Sequence, residues 1–283
     1  MNNFHLAGII PVAGQDLDFN MPWHDSLMPI APDYLALERS VVECAYAGCE
    51  TIWIVCNDDI QPLIRYRLGE YIQDPVWVLR NFAVEKRGHQ KPISIYYVPI
   101  HPKDRGKRDC LSWSVLYGAL TATKISSGLS TWLKPNRYYV SFPYGVYDPK
   151  ILREHRKIIS SDQDFYLINK NKTVIDGEYL GFTFDYKTYE LLFSEVKEKS
   201  TGLYEGDRKL SIEERFSYRF FTLKDVFGSL KLGKATLIEV EQFHNISNWH
   251  GYCDYISTDG RKAQKPSKFI LNYKEWNGIG IDN

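Results

Sequence analysis

The sequence has no excess of charge of either sign. Lys and Arg together number 35, as do Asp and Glu, so the formal net charge is zero. Because no overall field would attract nucleic acid or an anionic membrane, we expect neither as a partner. No run of 18 or more apolar residues occurs, which argues against a membrane-spanning helix. The first residues have no basic stretch followed by a long apolar run, so we expect no secretory signal.

Metal-binding and hydrolase motifs are also missing. The five cysteines are odd in number, lie in apolar surroundings and form no Cys-x-x-Cys pair. This pattern favours buried thiols in a reducing compartment, and therefore a cytoplasmic protein. No Gly-x-Ser-x-Gly motif indicates a serine hydrolase. His244 and His250 allow acid/base work or metal binding, but without a carboxylate or cysteine in register their spacing favours packing or hydrogen bonding.

Short apolar runs alternate with segments of helical periodicity. Strand patterns occur at residues 6–12, 51–56, 94–99, 137–142, 165–169 and 181–184. Helical patterns lie between or after them, at residues 34–45, 60–71, 111–125, 149–159 and 186–197. We expect Asp33 to cap the first helix. The alternation predicts an α/β fold with a mostly parallel, doubly wound sheet.

The chain is long enough for one large domain, and we assign that domain to residues 1–257. Within it, residues 74–91 look like an insertion and residues 200–234 like a partly helical appendage. Residues 258–283 are polar with scattered apolar side chains, and we predict a C-terminal arm. Twenty tyrosines and seven tryptophans are explained comparably well by core packing and by an interaction surface.

Five stretches, taken in order, resemble the sugar-phosphate nucleotidyltransferases. They are residues 11–14 (Pro-Val-Ala-Gly), 27–32 (Leu-Met-Pro-Ile-Ala-Pro), 47–55, 177–184 and 243–247 (Phe-His-Asn-Ile-Ser). The resemblance implies a three-layer α/β/α fold of the nucleotidyltransferase, or GT-A-like, type with a small C-terminal appendage. It also implies an enzyme that joins a nucleoside triphosphate to a sugar 1-phosphate with the help of Mg²⁺.

The residues that such chemistry needs are replaced. The loop after Gly14 is acidic, and Met28 stands where the family has a lysine. Gly145 and Asn245 align with the two carboxylates that hold Mg²⁺ in the family, and a neutral amide is a much weaker ligand for this ion. Ser112 lies at the helix start that approaches the nucleotide, next to the bulky Trp113.

Other residues provide an alternative set of ligands. Asp148 and either Asp16 or Asp18 would have to hold the metal, although a capping role for Asp148 and turn roles for Asp16 and Asp18 are simpler. Lys103, Arg105 and Lys107 follow the third strand pattern, at the edge where open α/β sheets bind ligands. They are candidates to grip an anion, or form a solvated loop.

We therefore expect a nucleotidyltransferase-like protein that has lost Mg²⁺-dependent catalysis and acts as a binding, regulatory or structural assembly subunit. Its expected partner is another protein or a second copy, with a nucleotide or sugar nucleotide as a further possibility, and no cofactor is expected. The alternative is an active sugar-1-phosphate nucleotidyltransferase that uses relocated ligands, with Mg²⁺ and a nucleoside triphosphate.

Overall fold

The computed structural model describes most of the chain. The described residues are 4–14, 24–80, 91–102, 104–105, 110–130, 133–201, 204–209, 211, 221–260 and 262–265. The strands are, in chain order, β1 Leu6–Pro11, β2 Pro29–Ala31, β3 Tyr34–Leu35, β4 Thr51–Cys56, β5 Tyr71–Gln73, β6 Pro92–Pro99, β7 Arg137–Val140, β8 Gly145–Val146, β9 Phe165–Ile168, β10 Phe182–Asp185, β11 Tyr204–Glu205, β12 Arg208–Lys209, β13 Thr236–Glu239 and β14 His244–Asn245. The helices are α1 Ala36–Ala47, α2 Gln61–Leu68, α3 Pro75–Arg80, α4 Leu111–Leu129, α5 Ile151–Ile159, α6 Tyr186–Thr201, α7 Leu223–Phe227 and α8 Trp249–Ser257.

Eight of the strands form one central sheet, in the order β13-β9-β10-β7-β1-β4-β6-β5. Six of them point the same way, and β10 and β5 run antiparallel to their neighbours. The predicted mostly parallel α/β sheet is therefore confirmed. The centre of the sheet, β1, is buried along its whole length, as expected for a parallel strand covered on both faces.

Helices cover both faces of the sheet. On one face, Gly8 of β1 admits α1 so closely that an added Cβ would lie 2.8 Å from the sulfur of Cys44. On the other face, Gly118 of α4 lies against Val55 and Ile9, and a Cβ there would come within 2.9 Å of both side chains. Helix α5 packs beside α1, whereas α6 and α7 pack beside α4. The result is the predicted three-layer arrangement.

The start of the first helix differs from the sequence prediction. Asp33 does not cap α1, because it lies in a turn with a positive φ of 54°. The helix begins after Leu35, whose backbone N–H donates to the carboxylate of Glu38 at 2.8 Å. Asp33 pairs instead with Arg67 of α2 and with Lys265. Its carboxylate thus joins two distant segments of the chain.

The structure describes only parts of the segments that we assigned to an insertion, an appendage and an arm. Helix α3 lies within the first, directly after the short strand β5, and residues 81–90 of it lie outside the described part. Residues 200–234 include the β11–β12 hairpin and α7, whose Val226 and Phe227 are buried in the main core. Among the described helices, none is long and apolar enough to cross a membrane.

Candidate functional site

The loops that follow β1, β4, β6 and β7 leave the sheet at one edge, because these four strands are parallel. The turn after β1 is held tightly. The backbone N–H groups of Val12 and Ala13 both donate to the carbonyl oxygen of Val55, and the hydroxyl of Ser114 donates to that of Ala13 at 2.9 Å. Gly14 ends this turn with a φ of 84°, which only glycine adopts readily. Gly14 and the start of α4 therefore lie next to each other.

Ser112, in the first turn of α4, is turned towards the protein interior. It is buried, and its hydroxyl donates to the carbonyl oxygen of Thr222 at 3.1 Å. This bond fixes the segment that leads into α7. The hydroxyl is thus already engaged with the protein's own backbone.

Arg105 lies at the same edge of the sheet and is also engaged. Its Nη2 is 2.5 Å from a carboxylate oxygen of Asp58, which follows β4. Because both side chains are partly exposed, this ion pair stabilises the fold little. It does mean that Arg105 brings no uncompensated charge to the edge. Lys103 and Lys107 lie outside the described residues.

The fold places Gly145 and Asn245 opposite each other, although they are 100 residues apart in the chain. They are paired across the antiparallel strands β8 and β14. These are the two positions that the resemblance assigns to metal-binding carboxylates. The structure therefore brings together the right positions, with a glycine and an amide in them. The Asn245 amide oxygen accepts a hydrogen bond from the N–H of Ser247 at 3.0 Å.

No side chain fits at Gly145. A Cβ on this residue would overlap the carbonyl oxygen of Tyr179 and lie 2.9 Å from its carbonyl carbon. It would also lie 3.0 Å from the ring of Phe243. Backbone cannot yield as a flexible side chain can, so an aspartate at this position would require the chain around Tyr179 to move.

Aromatic side chains fill the space beside Gly145. Phe142 and Tyr144 each meet the ring of Tyr179 edge to face, with ring centroids 5.8 and 6.0 Å apart. Tyr144 is fully buried, and burial raises the pKa of its hydroxyl well above the usual value. Desolvation of this kind disfavours charge, so the surroundings suit apolar packing better than a hydrated cation.

Met28 is fully buried between the short 3-10 helix Asp25–Leu27 and strand β2. Its carbonyl oxygen accepts from the N–H of Ala36, which ties this segment to the start of α1. A buried thioether supplies no charge for a phosphate. The position that the resemblance gives to a phosphate-binding lysine has thus become part of the packing.

Asp148 organises the turn before α5. One of its carboxylate oxygens accepts from the N–H of Lys150 at 3.0 Å, and the side chain is exposed. Helix α5 begins two residues after Pro149, so Asp148 caps the turn before the helix. Asp16 and Asp18 lie outside the described residues. In the part of the chain that the structure describes, no group of three His, Cys, Asp or Glu side chains is arranged to hold a metal ion.

Mg²⁺ does not fit the residues at this hairpin. The ion needs several oxygen ligands at about 2.0–2.1 Å, usually with one or two carboxylates among them. Gly145 offers none, and the amide oxygen of Asn245 already accepts a hydrogen bond. The histidines nearby do not replace them, because His244 is hydrogen-bonded to Asp259 at 2.7 Å and His250 is exposed on α8.

Sequence reasoning missed a buried polar group behind the hairpin. On α1, Arg39 and Glu43 form an ion pair at 2.8 Å with side chains that are at most 2% exposed. The hydroxyl of Tyr139 donates to Glu43 at 2.7 Å, and Arg39 donates to the carbonyl oxygen of Phe142 at 2.9 Å. Opposite charges four residues apart on a helix with many apolar residues were the signal available.

Comparison with known proteins gives structural matches and no sequence matches. No family model matches the chain, and neither does any curated protein. A glucose-1-phosphate thymidylyltransferase from Bacillus anthracis in complex with sucrose is similar in structure, with a TM-score of 0.56 and 12% sequence identity. The similarity covers 93% of this chain and 98% of that one.

UDP-glucose pyrophosphorylase is also similar, both bound to UDP-glucose and in its apo form. The TM-score is 0.53 and the identity 13% in each case. The match covers 92% of this chain and 100% of the UDP-glucose complex, and 90% and 98% for the apo form. The chain thus has the fold of the sugar-phosphate nucleotidyltransferases over most of its length, as the order of motifs predicted.

Proposed function

We propose that this protein is a nucleotidyltransferase-fold protein that has lost Mg²⁺-dependent catalysis and acts as a binding, regulatory or structural assembly subunit in the cytoplasm. The observation that carries the proposal is the pairing of Gly145 with Asn245. Both stand where the resemblance requires a carboxylate, and the backbone of Tyr179 leaves no room for one at Gly145.

Three further observations support the same proposal. Met28 is buried in place of a phosphate-binding lysine, Ser112 holds the chain before α7, and Arg105 is paired with Asp58. In phosphoryl transfer a single well-placed cation contributes several powers of ten in rate. The loss of cations and carboxylates together therefore favours a role that does not depend on turnover.

The alternative is an active sugar-1-phosphate nucleotidyltransferase with relocated ligands. It requires Asp148 and Asp16 or Asp18 to share a metal ion, and Lys103, Arg105 or Lys107 to bind phosphate. Asp148 is on the segment before α5 and accepts from its own turn, and Arg105 is neutralised by Asp58. These contacts argue against the alternative. The other four residues that it requires, Asp16, Asp18, Lys103 and Lys107, lie outside the described part of the chain.

A pyrophosphate-exchange assay separates the two functions. The full chain would be incubated with labelled pyrophosphate, Mg²⁺ and a panel of sugar nucleotides, with a UDP-glucose pyrophosphorylase as the positive control. We expect exchange no faster than in a heat-denatured sample. Mg²⁺-dependent exchange that disappears in Asp148→Asn would contradict the proposal and establish the alternative.

Calorimetry then tests whether a nucleotide is bound without turnover. Nucleoside triphosphates and sugar nucleotides would be titrated with and without Mg²⁺. Heat in the absence of exchange would indicate a nucleotide-regulated binding subunit, and the affinity should not depend on Mg²⁺ because the carboxylates are missing. Sedimentation of the purified chain over a concentration series would show whether the partner is a second copy.

A further inference from the structure

A groove crosses the surface over α1, the segment before α5 and the turn after α8. Its larger part has a volume of about 660 Å³ and its smaller part about 450 Å³. Both parts are lined by Tyr46 and Lys150, so they adjoin and form one elongated groove. Of the described candidate residues, only Asp148 lines it. The groove is therefore a different surface from the Gly145–Asn245 pair.

The lining of the groove is rich in tyrosine and has no excess of charge. Four tyrosines that are at most 5% exposed line it: Tyr34, Tyr46, Tyr147 and Tyr255. Arg39 reaches the groove as well, but Glu43 neutralises it at 2.8 Å. The other charges at the rim balance in number, with three cations and three carboxylates: Lys150, Arg153, Lys262, Asp148, Glu154 and Asp259. Such a lining suits an apolar occupant without net charge.

Two of these tyrosines have hydroxyl groups that are free to bind an occupant. In the described part of the chain, no hydrogen-bond partner is found for the hydroxyl of Tyr34 or of Tyr46, and neither hydroxyl is sealed from solvent. A phenolic hydroxyl in a largely buried side chain usually has a partner. The carbonyl oxygens of an extended peptide segment would supply acceptors for both.

The chain itself leads into the groove. After α8 it forms one wall, where the hydroxyl of Tyr255 donates to the carbonyl oxygen of Ile30 at 2.9 Å. Further along, Lys265 lines the groove and forms an ion pair with Asp33. The described part of the chain stops at Lys265, so residues 266–283 start at the end of the groove where α1 begins.

The residues that follow have the length to run along the groove. Asp33 precedes α1 and Tyr46 lies near its end, and a helix of 12 residues is about 18 Å long at about 1.5 Å per residue. Six extended residues, 266–271, span about 20 Å at roughly 3.3 Å each. Pro266 favours an extended backbone at the start of this stretch. The apolar residues 269–271 (Phe-Ile-Leu) would then reach Tyr46.

We propose that residues 266–271 of the chain bind in this groove, with the side chains of Phe269, Ile270 and Leu271 against its tyrosines. The charges suit each other, because residues 266–283 contain two lysines, one glutamate and one aspartate, whose side-chain charges cancel. Covalent linkage at Lys265 raises the effective concentration of the segment, so weak contacts suffice to hold it. In the intact chain this groove is then covered by the chain itself and closed to a partner. The inference goes beyond the proposed function and does not depend on it.

Photocross-linking within the full chain tests the proposal. Phe269→p-benzoylphenylalanine replaces one aromatic side chain by another that carries a photoreactive ketone. The dilute protein would be irradiated, and the product of monomer size would be digested and analysed by mass spectrometry. We expect the main link to join residue 269 to a peptide that contains Tyr46 or residues 146–153, which line the groove.

Removal of the apolar side chains separates binding from mere proximity. Ile270→Ser and Leu271→Ser, introduced together into the photoreactive chain, should lower the yield of this link about tenfold, because both apolar contacts are lost. Ile279→Ser with Ile281→Ser is the matched control, since it removes two apolar side chains from the same tail beyond residues 266–271. It should change the yield less than about twofold.

The central sheet and its helices keep their sequence in all of these variants, because every substitution follows Lys265. Links spread evenly over the surface, equal losses in the two double variants, or links only between two chains would each overturn the proposal. The pyrophosphate-exchange assay reports on catalysis and the cross-link on the position of the segment, so the failure of either idea is recognised separately.

Discussion

At the scale of single residues, Gly145 provides the main support for the proposed loss of catalysis. The absence of a side chain is required by packing, because a Cβ would overlap the backbone of Tyr179. We predict that Gly145→Ala lowers the free energy of unfolding by roughly 2 to 4 kcal/mol. Urea unfolding followed by tryptophan fluorescence measures this difference.

Asn245→Ala is the control for this glycine, since it changes the partner residue of the same hairpin. It removes one hydrogen bond to the Ser247 N–H and should cost only about 1 kcal/mol. Equal stability of Gly145→Ala and the natural protein would show that the Tyr179 segment moves easily. In that case an aspartate could also be accommodated, and the main support for lost catalysis would be gone.

A second residue-scale prediction concerns the buried ion pair of α1. Glu43→Gln leaves Arg39 as an uncompensated buried charge and weakens the hydrogen bond from Tyr139, so we expect a loss of about 3 to 5 kcal/mol in unfolding free energy. Glu70→Gln removes the partner of Arg65 in a pair whose side chains are more than half exposed, and it should cost less than about 1 kcal/mol. Similar losses in both variants would contradict the assignment of a buried pair.

At the scale of elements, the distance between α4 and the sheet is set by Gly118. An added methyl group would lie 2.8 Å from Val55 and 2.9 Å from Ile9, both of which are fully buried. Alanine favours a helix by about 1 kcal/mol over glycine, and the clash must exceed that gain for the variant to be less stable. We predict that it does, with a net loss of about 1 to 2 kcal/mol for Gly118→Ala in thermal or urea unfolding.

The same helix supplies the control. A Cβ at Gly128 meets nothing within 4 Å, so Gly128→Ala should gain the helix preference alone and stabilise the protein by up to about 1 kcal/mol. If both substitutions stabilise, α4 is free to shift away from the sheet. The close approach of α4 to the sheet would then contribute nothing to the stability of the protein.

The inner strands of the sheet and the long helices could be predicted from the sequence, and the two edge strands β5 and β13 could not. Strand β4 was predicted at its observed bounds because six apolar or β-branched residues lie between turn signals. Strand β5 has three residues, and the sequence pattern assigned Tyr71 to the preceding helix instead. Strand β13 has only four residues, Thr-Leu-Ile-Glu, at the edge of the sheet, and its two apolar residues are too few to indicate a strand.

For the candidate site, the order of motifs along the chain indicated which positions correspond to the family's site. It did not indicate which contacts the residues at these positions make. The resemblance aligned Gly145 and Asn245 with two residues that meet, and the structure pairs them. It could not reveal that Tyr179 closes the space at Gly145, or that Ser112 binds the carbonyl of Thr222, because these contacts join segments 34 and 110 residues apart. Contacts at such separations have no periodic signature in sequence.

At the scale of the whole molecule, the architecture does not depend on the site built on it. An eight-stranded sheet with helices on both faces buries a continuous core that does not depend on any charged ligand at its edge. Met28 and Gly145 contribute to packing, and Asn245 to a hydrogen bond. A fold of this kind can therefore persist when selection for the reaction ends, and serve a different role.

The pH dependence of global stability follows from two histidines. Burial lowers the pKa of His5, which also contacts the Leu133 carbonyl and the Thr51 hydroxyl, and burial likewise lowers the pKa of His24. A histidine with a lowered pKa in the folded state takes up its proton more readily when unfolded. Stability is therefore present above the unfolded value of 6.5 and is lost as the pH falls below it.

We predict that the urea midpoint of unfolding decreases when the pH is lowered from 7.5 to 5.5. Asp33 and Asp185 do not titrate in this window, because the pKa of each carboxyl is lowered from 3.8. His5→Asn should reduce this slope, because it removes one of the two groups that protonate on unfolding. His250→Gln, a change at an exposed position, should leave the slope as it is. A midpoint that rises on acidification would mean that protonation favours the folded state. Neighbouring carboxylates, and not the burial of the two imidazoles, would then determine how stability changes with pH.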